Sequence, residues 1–204
     1  MFRLQLSVLL LLLCANAAMA DETSVGTVSR VQAHVDAMRA ADILKLSVAS
    51  TLEANDLLRS GKKARLEAEL IDGTKLTLGE SAELKLDSYV YDPENSARNR
   101  LIARIKGAFL FVGGKVEGAG SEVKIITANA VMGVRGTTFW GGPIDNAYGV
   151  LALSGVVTVS TNAGSVTLTE GQGTMITAAD AAPDAPKTWP GAKRDRAIAT
   201  VNFE

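Results

Sequence analysis

Apolar and polar residues alternate along much of this chain, most regularly over residues 64–70, where every second residue is apolar and every intervening one is charged. This period of two predicts a strand with one buried face and one solvent-facing side. Asp72-Gly73 then predicts a turn, and the alternation resumes over residues 74–78 and 83–87. The sequence therefore predicts three short strands that form a compact β unit.

The second half of the chain repeats this alternation over residues 122–125, 156–160 and 165–169. Residues 35–46 fit neither period cleanly, and we expect short strands joined by a turn there. Glycines, 19 in all, separate the strands, which favours an all-β sandwich, barrel or solenoid over a helical fold. The apolar side chains expected to form the core are Leu66, Leu70, Leu76, Leu84, Val123, Val157 and Leu168.

The first 20 residues are interpreted as a secretion signal. They contain Arg3, an apolar run over residues 4–13 that is too short to span a bilayer, and the cleavage pattern Ala18-Met19-Ala20. A lipoprotein signal at Cys14 is the alternative, but it needs a small residue where a leucine stands. Cleavage after Ala20 removes the only cysteine, so we expect no disulfide and no thiol nucleophile in a mature chain of about 184 residues.

The mature chain is divided into an all-β domain at residues 21–177 and a linker with a C-terminal tail at residues 178–204. The linker prediction rests on the Ala, Pro and Asp content of residues 178–190. Residues 193–203 leave room for one or two turns of helix. A polar loop is expected after Asp92-Pro93-Glu94, because the residues that follow have little apolar surface to bury.

The charge of the chain argues against several partners. Without Arg3, 20 of the 21 basic residues remain against 22 acidic ones, so nucleic acid and anionic membrane are not expected partners. No segment after the signal reaches 18 consecutive apolar residues, so no transmembrane segment is expected after signal cleavage. The expected location is the periplasm or the exterior of the cell.

The sequence contains no recognisable set of catalytic residues. Two acidic residues that converge in the fold, as in a carbohydrate-active enzyme, are left as a distant third alternative. His34 is the only histidine, which excludes a site built on paired histidines, and no G-x-S-x-G, P-loop or H-E-x-x-H motif occurs. Asp92, Glu94 and Asn95 could offer oxygen ligands to a hard cation such as calcium, but a solvated acidic loop explains them as well. We therefore expect no enzyme, no catalytic residue, no metal site and no cofactor.

The stretch at residues 128–142, ANAVMGVRGTTFWGG, has two interpretations. In the architectural one, Gly133 and Gly136 let the strand bend or bulge, Arg135 braces the bend by pairing with a carboxylate, and Phe139 and Trp140 supply buried area. The glycines at residues 141 and 142 then release the chain into a loop.

In the functional interpretation, Arg135 and Trp140 anchor a ligand or a protein partner, since these residue types dominate interfaces. The contact edge is then the loop at residues 141–148, because binding residues often lie on loops of a rigid scaffold. The candidate binding residues are Arg135, Phe139, Trp140, Asp145 and Tyr148.

The order of these segments resembles the FecR domain family, whose founding member is a sensor and regulator with a periplasmic portion. The resemblance runs over residues 25–177 and is most specific at residues 72–87, DGTKLTLGESAELKLD, and 131–139, VMGVRGTTF. It implies an all-β periplasmic module, a short β-solenoid-like stack of short strands, with an irregular β-sandwich as the alternative fold. It also implies a role in sensing or protein–protein contact and no catalysis.

One departure from the family limits what carries over. The founding regulator has a cytoplasmic anti-sigma part and a transmembrane helix ahead of this domain, whereas Asp21 here follows the signal directly. The expectation is therefore a stand-alone exported module that binds a protein partner in the cell envelope, without the anti-sigma part. The alternative is a structural or adhesive envelope protein whose strand edges pair between copies.

Overall fold

A computed structural model describes residues 24–204 of the protein, so the signal predicted at residues 1–20 lies outside the described residues. These residues form sixteen strands, one short 3-10 turn at Ser96–Arg98 and one α-helix. The elements are β1 (Ser24–Gln32), β2 (Val35–Arg39), β3 (Asp42–Lys45), β4 (Thr51–Glu53), β5 (Leu57–Ser60), β6 (Arg65–Leu70), β7 (Lys75–Leu78), β8 (Glu83–Val90), β9 (Arg100–Lys106), β10 (Phe109–Val112), β11 (Glu122–Ile126), β12 (Val131–Ile144), β13 (Ala147–Thr161), β14 (Gly164–Thr169), β15 (Gln172–Ile176), β16 (Lys187–Thr188) and α1 (Gly191–Ala199).

The long hairpin of β12 and β13 is the centre of one continuous sheet. The first half of β12 pairs with β11, which continues through β9, β8, β5 and β2 to β3. The second half pairs with β10, which continues through β7, β6 and β1 to β4. The sheet thus has two arms that diverge from one hairpin.

The two arms face each other across a single large core, because the buried side chains of both belong to one cluster. All seven side chains that the alternation predicts for the core are buried, with Val123 the most exposed at 5%. The predicted strands and turns at residues 35–46, 64–87 and 156–169 are also confirmed. One buried and one wet face per strand is what the period of two requires.

The prediction of an all-β fold is confirmed, and the sheet curls like half a barrel. Neighbouring strands pair antiparallel, with β9 and β11 as the parallel pair. A solenoid stacks successive coils with parallel pairing, so the solenoid-like stack implied by the family resemblance does not describe this pairing. Tight hairpins after short strands, such as that at Asp72-Gly73, favour antiparallel neighbours instead.

Residues 187–204, here called the C-terminal segment, pack on the outer face of the sheet. β16 pairs with β15, and Trp189, Ala197 and Val201 join a second buried cluster with Trp140. The expected helical turns are present as α1. The composition of residues 178–190 is linker-like, but Trp189 contributes enough apolar surface to dock the segment.

Candidate functional site

Strand β12 bends at Gly136, as the sequence predicts for the Arg-Gly-Thr stretch. The pairing register with β13 shifts between Arg135 and Thr138, and Gly136 has φ +61°. Opposite it, Gly155 has φ +71°, and a Cβ there would lie 2.0 Å from the Gly136 carbonyl oxygen. The bulge therefore depends on two glycines. Gly133, expected to share this role, lies in regular strand opposite Lys124.

Glu117 is the carboxylate that braces the bend, and it contacts backbone and not the Arg135 guanidinium. Its Oε2 accepts the N–H of Gly136, and its Oε1 is buried with no hydrogen-bond partner among the described residues. A Cβ at Gly113 would meet this Oε1 at 1.8 Å, so the carboxylate fills the space over that glycine. Burial raises the pKa of Glu117, and the N–H groups of Gly136 and Thr137 offset this only in part.

The raised pKa of Glu117 predicts a pH dependence of stability. Below its ordinary value of 4.5 the carboxyl is protonated in the folded and the unfolded protein alike. Between 4.5 and the raised pKa the folded protein keeps a proton that the unfolded chain has lost, so stability falls as the pH rises. We expect the free energy of unfolding of the wild type to fall relative to Glu117→Gln across this interval, measured by urea unfolding at a series of pH values. A difference that does not change with pH would contradict this.

Arg135 is exposed on the rim of a cleft of about 470 Å³ that Glu117–Ser121 and Val134–Gly136 line. No carboxylate of residues 24–204 lies within ion-pair distance of its guanidinium, so the expected brace by an ion pair is absent from the described structure. Its backbone N–H donates to Thr137 Oγ1 at 3.0 Å. Of the five candidate binding residues, Arg135 is therefore the one whose charge is free to meet a partner.

Phe139 and Trp140 are fully buried and point to opposite faces of β12. Phe139 packs in the large core against Phe109 and Phe111, with ring centroids 5.5 and 5.4 Å apart. Trp140 lies beneath the C-terminal segment, where its Nε1 donates to Thr200 Oγ1 at 2.9 Å. Neither ring faces solvent, so both serve the scaffold in this structure.

Asp145 and Tyr148 lie at the tip of the central hairpin, where the sequence predicts a loop over residues 141–148. Strand pairing continues to Ile144 opposite Ala147, and the turn consists of Asp145 and Asn146 alone, both with positive φ. The loop prediction is therefore wrong. The glycines of residues 141 and 142 stay in the strand because their missing Cβ atoms make room for neighbouring groups. At residue 141 the Phe109 ring occupies this space.

The environments of Asp145 and Tyr148 differ. Asp145 binds Arg196 at 2.9 Å and Lys193 at 3.2 Å, and these hydrogen bonds hold its pKa below the ordinary value. Asp145 thus fixes α1 to the hairpin. Tyr148 is 7% exposed, and burial raises the pKa of its hydroxyl. Both line an open cleft of about 530 Å³.

Asp72, which the sequence places only in a turn, is a buried node between three segments. Its carboxylate accepts the Tyr89 hydroxyl at 2.7 Å, the Thr74 hydroxyl at 2.6 Å and the Val116 N–H at 2.8 Å. A Cβ at Gly114 would meet Asp72 Oδ2 at 2.5 Å. An Asp-Gly turn signal does not reveal contacts made 17 and 44 residues away, so sequence reasoning missed this role.

The outer face of β8, β9 and β11 carries more basic than acidic side chains, which the overall charge of the chain hides. Each acidic side chain of this face forms an ion pair with a basic one. Glu83 pairs with Lys106 at 3.6 Å, Asp87 with Arg104 at 2.5 Å, and Glu122 with both Arg100 and Lys124. Lys85 is exposed between these pairs, and no carboxylate of residues 24–204 pairs with it. This face thus presents an unmatched positive charge.

Comparisons with known proteins agree on the fold. The model of the family described as "FecR protein" matches residues 56–167. Two crystal structures of a candidate anti-sigma factor from Parabacteroides distasonis are similar, with TM-scores of 0.57 and 0.56 at 14% and 15% identity. Each similarity covers 70% of this chain and 64% or 63% of the solved chain, so this chain spans less than two thirds of that protein. No curated protein matches significantly.

Over residues 24–204, no helix combines the length and the apolar character that crossing a bilayer requires.

Proposed function

Because the chain belongs to the FecR protein family, we propose that it is a non-enzymatic, exported module that binds a protein partner in cell-envelope signalling. The family match carries this proposal, since residues 56–167 contain β8, β9, β11 and the whole central hairpin. The solved structures that share the fold belong to a candidate anti-sigma factor, a name that implies interaction with another protein.

The chemistry of the described residues supports binding over catalysis. His34 exposes 67% of its side chain and has Asp36 as its charged neighbour at 3.4 Å. Within residues 24–204, no group of three or more His, Cys, Asp and Glu side chains could hold a metal ion. Asp92, considered as a cation ligand, instead accepts the N–H groups of Glu94 and Asn95 in its own turn. A binding module needs only a rigid, accessible surface, which the curled sheet provides.

Export is the part of this proposal that rests on the sequence of residues 1–20. We expect the mature protein to begin at Asp21, because Ala18-Met19-Ala20 supplies the cleavage pattern. Mass spectrometry of the protein released from intact cells by osmotic shock measures its N-terminus directly. Release of a protein that starts at Asp21 supports a periplasmic location. Retention of residues 1–20, or lipid on Cys14, would contradict it.

Partner binding can be tested by photo-cross-linking in living cells. A photoreactive amino acid is placed at single exposed positions distributed over both arms and the hairpin tip, one position per variant. A binding module gives an adduct of one discrete mass from a cluster of neighbouring positions. Excess unmodified protein competes for the partner and lowers the yield of this adduct. Adducts from no position, or a smear from every position, would overturn the proposed function. Excess protein has no effect on non-specific adducts.

A further inference from the structure

The outer face of one arm carries a continuous row of side chains that crosses seven strands, from β3 to β12. Directly opposed residues in neighbouring strands point to the same face, and the register places one residue of each strand in this row. Its members, in spatial order, are Ile43, Met38, Leu57, Lys85, Arg104, Ile126 and Val131. We call this the outer row.

The outer row has apolar ends and a cationic centre. Ile43 is 66% exposed at one end and Val131 is 36% exposed at the other. Lys85 and Arg104 are exposed at the middle. A cleft of about 330 Å³ lies there, and Leu57, Ile126 and both cations are among the residues that line it. Large exposed apolar side chains that line up in this way are typical of an interaction site.

The row next to the outer row is electrically neutralised within the protein. Asp36 binds Arg59 at 2.6 Å, and Glu83, opposite Arg59, binds Lys106 at 3.6 Å. In the outer row itself Arg104 is held by Asp87, while Lys85 is without an acidic partner in residues 24–204. The positive potential is therefore local to the middle of the outer row and does not extend over the whole face.

We propose that the outer row is the docking surface for an extended segment of a partner protein that has a carboxylate between apolar side chains. This inference rests on the proposed function and names the surface and the chemistry of the partner. A row of seven strands spans roughly 29 Å, the reach of about nine extended residues. The carboxylate meets Lys85, and the flanking apolar side chains cover Leu57 and Met38 on one side and Ile126 and Val131 on the other.

Charge distribution favours such a segment over a polyanion. Binding to nucleic acid or to an anionic membrane relies on many basic side chains that together neutralise several phosphates. Here Glu83, Asp87 and Glu122 already occupy the neighbouring cations. One unmatched lysine between apolar side chains suits one or two carboxylates.

The probe for this site is a synthetic eleven-residue peptide with blocked ends, two central glutamates, and valine or isoleucine alternating with threonine on both sides. Titration of the ¹⁵N-labelled protein, residues 21–204, is followed by amide chemical shifts. We expect saturable shifts in β2, β5, β8, β9 and β11, and at least tenfold weaker binding to Lys85→Glu. The matched control Lys124→Glu lies on the same face and is exposed, and it should bind the peptide as the wild type does.

Three outcomes would overturn the docking surface. One is equal affinity of Lys85→Glu and wild type for the peptide. The amide spectrum of the free variant must then match that of the wild type away from residue 85, which shows that the variant is folded. Another is equal binding of a peptide with serine at the apolar positions, since the apolar ends would then contribute nothing. A third is displacement of the peptide by anionic vesicles at equal charge concentration. The photo-cross-linking test is separate: a partner adduct elsewhere on the protein, without peptide binding here, overturns this surface and leaves the proposed function intact.

Discussion

Replacing Trp189 by alanine should lower the free energy of unfolding by about 3–5 kcal/mol, the usual cost of truncating a buried aromatic side chain. Trp189 is 5% exposed and packs at 6.2 Å from the Trp140 ring. Its ring occupies a cradle that two glycines provide, since a Cβ at Gly173 would lie 2.4 Å from it and a Cβ at Gly149 would lie 2.8 Å from it. No smaller side chain fills this cradle.

Urea unfolding followed by circular dichroism measures this loss. Lys187→Ala is the matched control, because Lys187 is exposed on β16 in the same C-terminal segment, and its effect should stay within about 0.5 kcal/mol. The loss of unfolding free energy for Trp189→Phe should lie between the losses for Trp189→Ala and Lys187→Ala. A loss below about 1 kcal/mol for Trp189→Ala would show that residues 187–204 are not an integral part of the folded domain.

Replacing Asp72 by alanine should cost about 3–4 kcal/mol, because buried donors that lose their acceptor keep the cost of leaving water. The change leaves the Thr74 hydroxyl, the Tyr89 hydroxyl and the Val116 N–H without the carboxylate. Burial, together with the hydrogen bond to Asp72, raises the pKa of Tyr89, so its hydroxyl remains a donor at neutral pH. The carboxylate of Asp72 links the turn between β6 and β7 to the chain before β11, and this link is lost in the variant.

Two further variants identify the cause of this loss. Tyr89→Phe removes one donor and keeps the carboxylate, so its cost should be about 1 kcal/mol. Asp180→Ala removes an exposed carboxylate and should have no measurable effect. Equal losses from Asp72→Ala and Tyr89→Phe would contradict the role of Asp72 as a node between three segments.

The strands and the core could be predicted because alternation is a local property of the sequence. Each of Leu66, Leu76 and Val157 is buried for the same reason, its place in a period of two. The bend at Gly136 could be predicted as well, because a glycine within an apolar strand suggests a positive φ. Gly136 has such a φ, which other residues adopt only with strain.

The candidate binding residues show what local pattern cannot supply. Only the functional interpretation places Phe139 and Trp140 in a site, because of their residue types. Adjacent strand positions face opposite sides, and both sides of β12 are covered, as the architectural interpretation predicts. Trp140 is buried only because residues 187–204 return across the sheet. Alanine- and proline-rich composition before Trp189 gives no sign of that return.

The outer row could not be predicted because it exists only through strand order and register. Met38, Lys85 and Ile126 are far apart in sequence and meet because β2, β8 and β11 belong to the same arm. The parallel pairing of β9 with β11 sets Arg104 opposite Ile126. A shift of the pairing by one residue would turn every one of these side chains to the other face.

The most direct test of this account is photo-cross-linking in cells with the photoreactive amino acid at Leu57, beside Lys85 in the register. We expect a partner adduct of one mass, at least tenfold less of it when Lys85→Glu is added, and an unchanged yield when Lys124→Glu is added instead. Equal adduct yields from all three proteins, at equal amounts of folded protein in the envelope, would contradict docking of a protein partner at this face.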